Sequence, residues 1–128
     1  MTAISTAIRK DDNIIEGVIC TTQEIVGDAV YFSGPNMVSK ASALSLTTSR
    51  VVGFITAKKN NLECTVRIGG FLEKSGLVEN STYFLDIVPG QITVFPPTLS
   101  GSVVVKVGIG KSSSSLLVEV SQNRVIRN

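Results

Sequence analysis

A chain of 128 residues can bury one sizeable hydrophobic core, and a 43% hydrophobic content is enough to fill it. Twelve Lys and Arg against ten Asp and Glu leave a net charge of +2, without the basic block or stripe of a nucleic-acid or membrane-surface protein. The sequence has no histidine, so any Ser–His or Cys–His arrangement is impossible and the commonest general base and metal ligand are missing together.

Charged residues make up only 17% of the chain, which points to a surface that is normally covered in part by a partner. No apolar run approaches the ~18 residues of a membrane span. The opening MTAISTAIRKDD lacks the basic start and long apolar middle of a signal peptide. Cys20 and Cys64 follow no metal spacing, and without an export signal they read as buried free thiols.

In chain order, residues 1–13 are small and polar, then charged from Arg9 to Asp12, and read as an extended or irregular arm. Asn13 to Cys20 is a β-branched run that fits a strand. Gly27-Asp28 marks a turn before the strand Ala29–Phe32, and Ser33–Asn36 is a second turn before the extended piece Met37–Lys40. Ala41–Thr48 is compatible with a helical turn or a loop. Arg50–Thr56 reads as a strand whose Gly53 marks a bulge or a close backbone approach. Lys58–Asn61 reads as a polar hairpin turn with solvated lysines. Leu62, Cys64, Val66 and Ile68 then alternate with Glu63, Thr65 and Arg67, as in a half-buried antiparallel strand.

Gly69-Gly70 is a seam, after which the pattern returns. Phe71–Glu73 opens the second copy, and Thr82–Asp86 repeats the Tyr-Phe strand. Val88–Gln91 is a Pro-Gly turn, Ile92–Phe95 is a short strand stopped by Pro96-Pro97, and Val103–Ile109 repeats the glycine-bearing strand. Lys111–Ser115 reads as a serine-rich hairpin loop in contact with water or a neighbour, and Leu116–Val120 closes the unit. Tyr31-Phe32 aligns with Tyr83-Phe84 at an offset of 52, and Gly53-Phe54-Ile55 with Gly108-Ile109-Gly110 at 55. Small indels around a shared offset are the mark of a duplicated unit. The expected fold is all-β, a compact barrel or sandwich built from two pseudo-repeats. They span about 14–68 and 69–120 of a single domain at 14–120, between an arm at 1–13 and a tail at 121–128.

Chemistry is sparse. The acids are scattered, and only Asp11-Asp12 are adjacent, where a solvated cluster is the plain reading. Asp28 and Asp86 sit at turn or strand ends, where capping backbone donors explains them. Gly108–Ser112 carries a Gly-Lys-Ser, but the phosphate-loop spacing fails because Val105 stands where the first glycine belongs. Few aromatics and no tryptophan leave no stacking platform for bases or sugars. The Tyr-Phe pairs, at equivalent repeat positions, read as core. No catalytic, cofactor or metal residue is assigned, and an enzyme is not expected.

The segment GDAVYFSGPNMVSKASALSLTTSRVVGFI, and still more YFLDIVPGQITVFPPTLSGSVVVKVGIGKSSSSLLVEV, resembles small virion structural proteins of tailed bacteriophages: capsid decoration and fibre-associated modules. The likeness covers roughly residues 14–120 and consists of turn-and-strand signatures, so it carries over no functional residue. It departs at Glu79-Asn80, where the first repeat has Gly27-Asp28. The resemblance implies a β-rich unit, commonly trimeric, attached to a larger assembly. The expectation is a non-enzymatic capsid decoration (cement) protein on the virion surface, made in the host cytoplasm. It would bind the major capsid protein or another virion protein as a homotrimer, with no nucleic-acid, membrane, small-molecule or cofactor partner. Candidate interface residues are Thr2, Ile4, Ile8 and Arg9 in the arm, and Arg124, Ile126 and Arg127 in the tail. The alternatives are a tail, neck or fibre-associated module, a carbohydrate-binding adhesin domain, or a bacterial cell-surface β-module.

Overall fold

The computed structural model describes residues 13–121 and 123–128, and these form an all-β structure. The first half supplies β1 (Ile14–Ile19), β2 (Ala29–Gly34), β3 (Met37–Lys40), β4 (Gly53–Asn60) and β5 (Glu63–Arg67). The second supplies β6 (Gly70–Glu73), β7 (Thr82–Leu85), β8 (Ile92–Thr93), β9 (Val103–Val104), β10 (Lys106–Ser112) and β11 (Ser115–Val118). A last strand, β12 (Val125–Ile126), pairs antiparallel with β9.

The two halves share one strand order. Strands β1-β5-β4-β2-β3 are neighbours in the first, and β6-β11-β10-β7-β8 are neighbours in the second. They differ in closure. In the first half β3 returns to pair parallel with β1, Ile19 opposite Met37, and the sheet closes into a barrel. In the second, the equivalent strand β8 is two residues long and Pro96-Pro97 follow closely, which cannot donate to a ladder, so the sheet stays open.

The open sheet packs on the outer wall of the barrel. Within the barrel, Val18, Cys20, Val30, Val38, Ile55, Cys64 and Val66 form one core. A second, larger core lies between barrel and sheet, where Ala29, Ala41, Ala43 and Phe54 meet Tyr83, Leu85, Val105, Val107 and Leu116. Phe54 and Ile55 are both fully buried, as are Ala29 and Val30, because successive side chains in a strand point to opposite faces. Strands β2 and β4 therefore face two cores at once, which accounts for their unbroken apolar runs.

Backbone hydrogen bonds show how the halves superimpose. Gly27 N–H donates to Ile55 O (2.8 Å) and Ile55 N–H to Asp28 O (3.0 Å); Asn80 N–H donates to Gly110 O (2.7 Å) and Gly110 N–H to Ser81 O (2.9 Å). Ile55 and Gly110 are thus equivalent, as their offset of 55 indicates. The altered turn keeps a left-handed residue: Gly27 has φ +98° and its counterpart Asn80 has φ +66°. The Tyr-Phe alignment, however, slips by one residue. Val30 faces Gly53 and Tyr83 faces Gly108, so Tyr83 is the counterpart of Val30, not of Tyr31. A slip of one exchanges the faces of a strand. Tyr83 is accordingly buried, whereas Tyr31 is half-buried and Phe32 is 44% exposed.

Other expectations shift at their edges. The glycine-bearing strand starts at Gly53 and continues through Lys58-Lys59, so the hairpin turns at Asn61-Leu62, with Asn60 Oδ1 accepting from Leu62 N–H (2.8 Å). Leu62 is therefore exposed at a hairpin tip, while Cys64 and Val66 point inward. The segment Ala41–Thr48 is irregular. It is pinned by Ser42 Oγ donating to Ile87 O (2.8 Å) and by Thr48 Oγ1 donating to Ser42 O (2.9 Å). The repeated strand Val103–Ile109 is interrupted at Val105, giving β9 and β10 different partners. Gly53 is a close approach, as its place in the strand suggests: a Cβ there would collide with the carbonyl group of Arg67.

Candidate functional site

The polar groups that look most like chemistry are used to fasten loops. Asp28, 3% exposed, accepts from Ile25 N–H through Oδ2 (3.0 Å) and lies 3.8 Å from Lys40 Nζ. Lys74 Nζ donates to Gly27 O (3.1 Å) beside it; burial pushes the Lys74 ammonium below its usual range, and the Asp28 carboxylate opposes the shift. Gly90 packs against the Asp28 carboxylate, and the turn after β7 is anchored to the barrel by Ala29 N–H donating to Gly90 O (3.0 Å) and Gly90 N–H to Ala41 O (2.8 Å). Glu24 accepts from the backbone N–H and the hydroxyl of Thr21 (2.7 and 2.8 Å). Lys58, expected to be solvated, instead donates to the carbonyls of Thr21 (2.9 Å) and Glu24 (2.7 Å) and clamps that loop.

The Gly-Lys-Ser of Gly110–Ser112 lies in strand β10, where Lys111 stands 4.5 Å over the Phe71 ring. The serine tip that follows does not stand free. Ser114 O accepts from Lys74 N–H (3.0 Å) and Ser113 O from Leu77 N–H (3.1 Å), because the β6–β7 loop runs alongside it. Cys20 and Cys64 are free thiols, each 1% exposed inside the barrel. Burial, reinforced by hydrogen bonding with Cys20, pushes the Cys64 thiol up to about 12. A thiol held so far from its thiolate is a poor nucleophile and metal ligand. Among the described residues, no three Cys, Asp or Glu converge on a metal-sized site.

What the fold does present is a set of exposed apolar side chains on the tail and the two loops it binds. Of the candidate interface residues, Thr2, Ile4, Ile8 and Arg9 lie outside the described residues; Arg124, Ile126 and Arg127 lie on or beside β12. Both arginines are hydrogen-bonded to the fold, Arg124 half-buried and Arg127 exposed. Arg124 Nη1 donates to Leu46 O (2.7 Å) and Ser49 Oγ (3.0 Å), and Arg127 Nε donates to Pro97 O (2.9 Å). Gly101 N–H donates to Arg127 O and Arg127 N–H to Ser102 O, both at 2.8 Å. The tail thereby ties the 41–49 loop to the 94–102 loop. Those three segments expose Leu44, Leu46, Phe95, Leu99, Val125 and Ile126, with Phe95 at 77%.

The sequence names Ile126 and the arginines but gives no sign of Leu44, Leu46, Phe95 or Leu99, since single apolar residues in loops are uninformative until the fold gathers them. A groove of about 670 Å³ lies between barrel and sheet, lined by Ile15 and Ile68 from one side and Val105 and Val120 from the other. No protein family, no curated protein and no solved structure matches this chain.

Proposed function

We propose that the chain is a non-enzymatic virion structural protein, a capsid decoration subunit that trimerises over junctions between capsid subunits. The supporting observation is that Leu44, Leu46, Phe95, Leu99, Val125 and Ile126 are exposed on segments that the guanidinium groups of Arg124 and Arg127 hold together. Exposed apolar side chains on segments held by hydrogen bonds are suited to covering another protein surface. Each 100 Å² of apolar area so buried contributes about 2.5 kcal/mol before the costs of association. Spread over many copies on a shell, that burial resists the opening of capsid joints under internal pressure. The resemblance of residues 14–120 to phage decoration and fibre-associated modules supplies the virion context.

The test is co-sedimentation of purified protein with expanded empty phage heads, using the unaltered chain and a Phe95→Asp, Ile126→Asp variant. The unaltered chain should saturate heads at shell-wide stoichiometry, and the variant, whose changes fall on exposed positions, should fold and fail to bind. Binding at a single vertex would transfer the proposal to the tail, neck or fibre alternative. Failure of both proteins to bind heads would overturn it.

A further inference from the structure

The groove between barrel and sheet combines an apolar lining with two cations. Val51 and Val105 line it from buried positions, Ile15, Val52 and Val120 from half-buried ones, and Ile68 is 38% exposed. Arg50 and Arg124 line it too, and among the described residues no Asp or Glu does. Its volume of about 670 Å³ lies within the range of small-molecule sites, which are mostly apolar with a few placed polar groups.

Neither cation is neutralised within the fold. The ion pairs between described residues, Lys40 with Asp28 and Lys106 with Glu119, involve neither arginine. Arg124 Nη1 donates to Leu46 O and Ser49 Oγ, which are both uncharged acceptors. These bonds fix the half-buried guanidinium before any ligand arrives, so little ordering opposes binding there. A guanidinium beside apolar surface is partly stripped of water, and its planar fork matches the oxygens of a carboxylate or phosphate. Arg50 is exposed and adds a weaker, screened attraction. An inorganic anion would satisfy the arginines and leave the apolar lining wet. A plain hydrocarbon would do the reverse. A ligand with both parts answers both.

We propose that this groove binds an amphipathic oxyanion, an aliphatic chain ending in a carboxylate or a phosphate, with its head at Arg50 and Arg124 and its chain against Val51, Val105 and Ile68. Such a site departs from the expectation, drawn from the sequence, of no small-molecule partner. It concerns the isolated subunit and stands or falls independently of the virion reading.

The experiment is methyl NMR of the full-length chain, labelled at Ile and Val, titrated with decanoate and with decyl phosphate below the concentrations at which they form micelles. Decanol and decyltrimethylammonium serve as the uncharged and cationic controls. The expected result is saturable shifts of Ile15, Val52, Ile68 and Val120, while Ile55, inside the barrel, stays in place. The tighter of the two anions identifies the head group. Each methylene removed from it should weaken binding by up to about fourfold. Arg50→Glu, at an exposed position, should weaken it about tenfold with the Ile55 resonance unmoved. Controls that bind as tightly as the anions would overturn the proposal, because charge would then play no part. So would shifts that never saturate or that centre on Val125 and Ile126, an Arg50→Glu variant that binds as the unaltered chain does, or no shift with either anion.

Discussion

Gly53→Ala is the most informative single change in the fold. The glycine has an ordinary φ, so space alone decides the outcome. A Cβ at Gly53 would collide with Arg67 O, and would lie 2.9 Å from its carbonyl carbon and 3.1 Å from Ile68 Cα. All three atoms are backbone of β5 and the residue after it, so no side chain can rotate away. The strands would have to separate where Phe54 pairs with Arg67. Overpacking costs about 1–3 kcal/mol, and losing one or two ladder hydrogen bonds adds about 0.5–1.5 kcal/mol each, for a total between about 1.5 and about 6 kcal/mol. That is a large share of the ~5–15 kcal/mol that holds a domain together, and at about 4 °C per kcal/mol it lowers Tm by about 6–24 °C. Gly76→Ala is the control. Gly76 has φ +77° and open space around its missing Cβ, so only the backbone penalty of about 1–2 kcal/mol applies. Urea unfolding followed by far-ultraviolet circular dichroism measures both. A Gly53→Ala variant as stable as Gly76→Ala would refute the argument from close approach.

The barrel closes at a single bridge, where Ile19 N–H donates to Asn36 O (2.8 Å), Asn36 Nδ2 donates to Gly17 O (2.8 Å), and Asn36 itself has φ +54°. Asn36→Ala should weaken this seam by about 1–2 kcal/mol and speed the reaction of Cys20 with a thiol reagent about 5–30-fold; Asn36→Gly, which tolerates the left-handed conformation, should do less. Reaction rates equal to that of the unaltered chain would show that the seam does not gate the barrel. Because the folded Cys64 thiol is pushed up from 9.0 to about 12, the unfolded chain loses that proton first. Its contribution is therefore intact below pH 9 and is lost as pH rises from 9 to 12, by up to about 1.4 kcal/mol per pH unit. Cys64→Val should remove that part of the alkaline decline, as measured by urea midpoints at pH 8, 9 and 10.5. Tyr83→Phe removes the acceptor of the Val78 N–H bond (2.7 Å) and should cost about 1 kcal/mol in thermal melts, whereas Tyr31→Phe should change stability by less than about 0.5 kcal/mol.

Strand identity was legible because β-branched runs and Gly, Pro and Asn punctuation are local signals. The duplication was legible too, since the two glycine-bearing strands make the same hydrogen bonds to equivalent turns, Gly27-Asp28 and Asn80-Ser81. What misled was the Tyr-Phe match. Like residues at a constant offset suggest like positions, but a one-residue slip put Tyr83 in the core and left Tyr31 at its edge. Sequence similarity records chemistry, and only pairing records face. Lys58 was misread for a related reason: its carbonyl partners on Thr21 and Glu24 lie more than thirty positions away, and nothing local announces them. The same holds for the exposed apolar residues of the two loops and the tail, whose segments meet through contacts distant in sequence, among them Arg124 with Leu46 and the β9–β12 pairing.

The most direct test of a decoration role is the copy number of the chain in purified particles, measured by quantitative mass spectrometry against the major capsid protein. The account predicts an amount in fixed, shell-wide proportion to that protein, lost when heads are stripped and restored by adding the purified chain. A handful of copies per particle that remain with isolated tails, or none in particles at all, would contradict it.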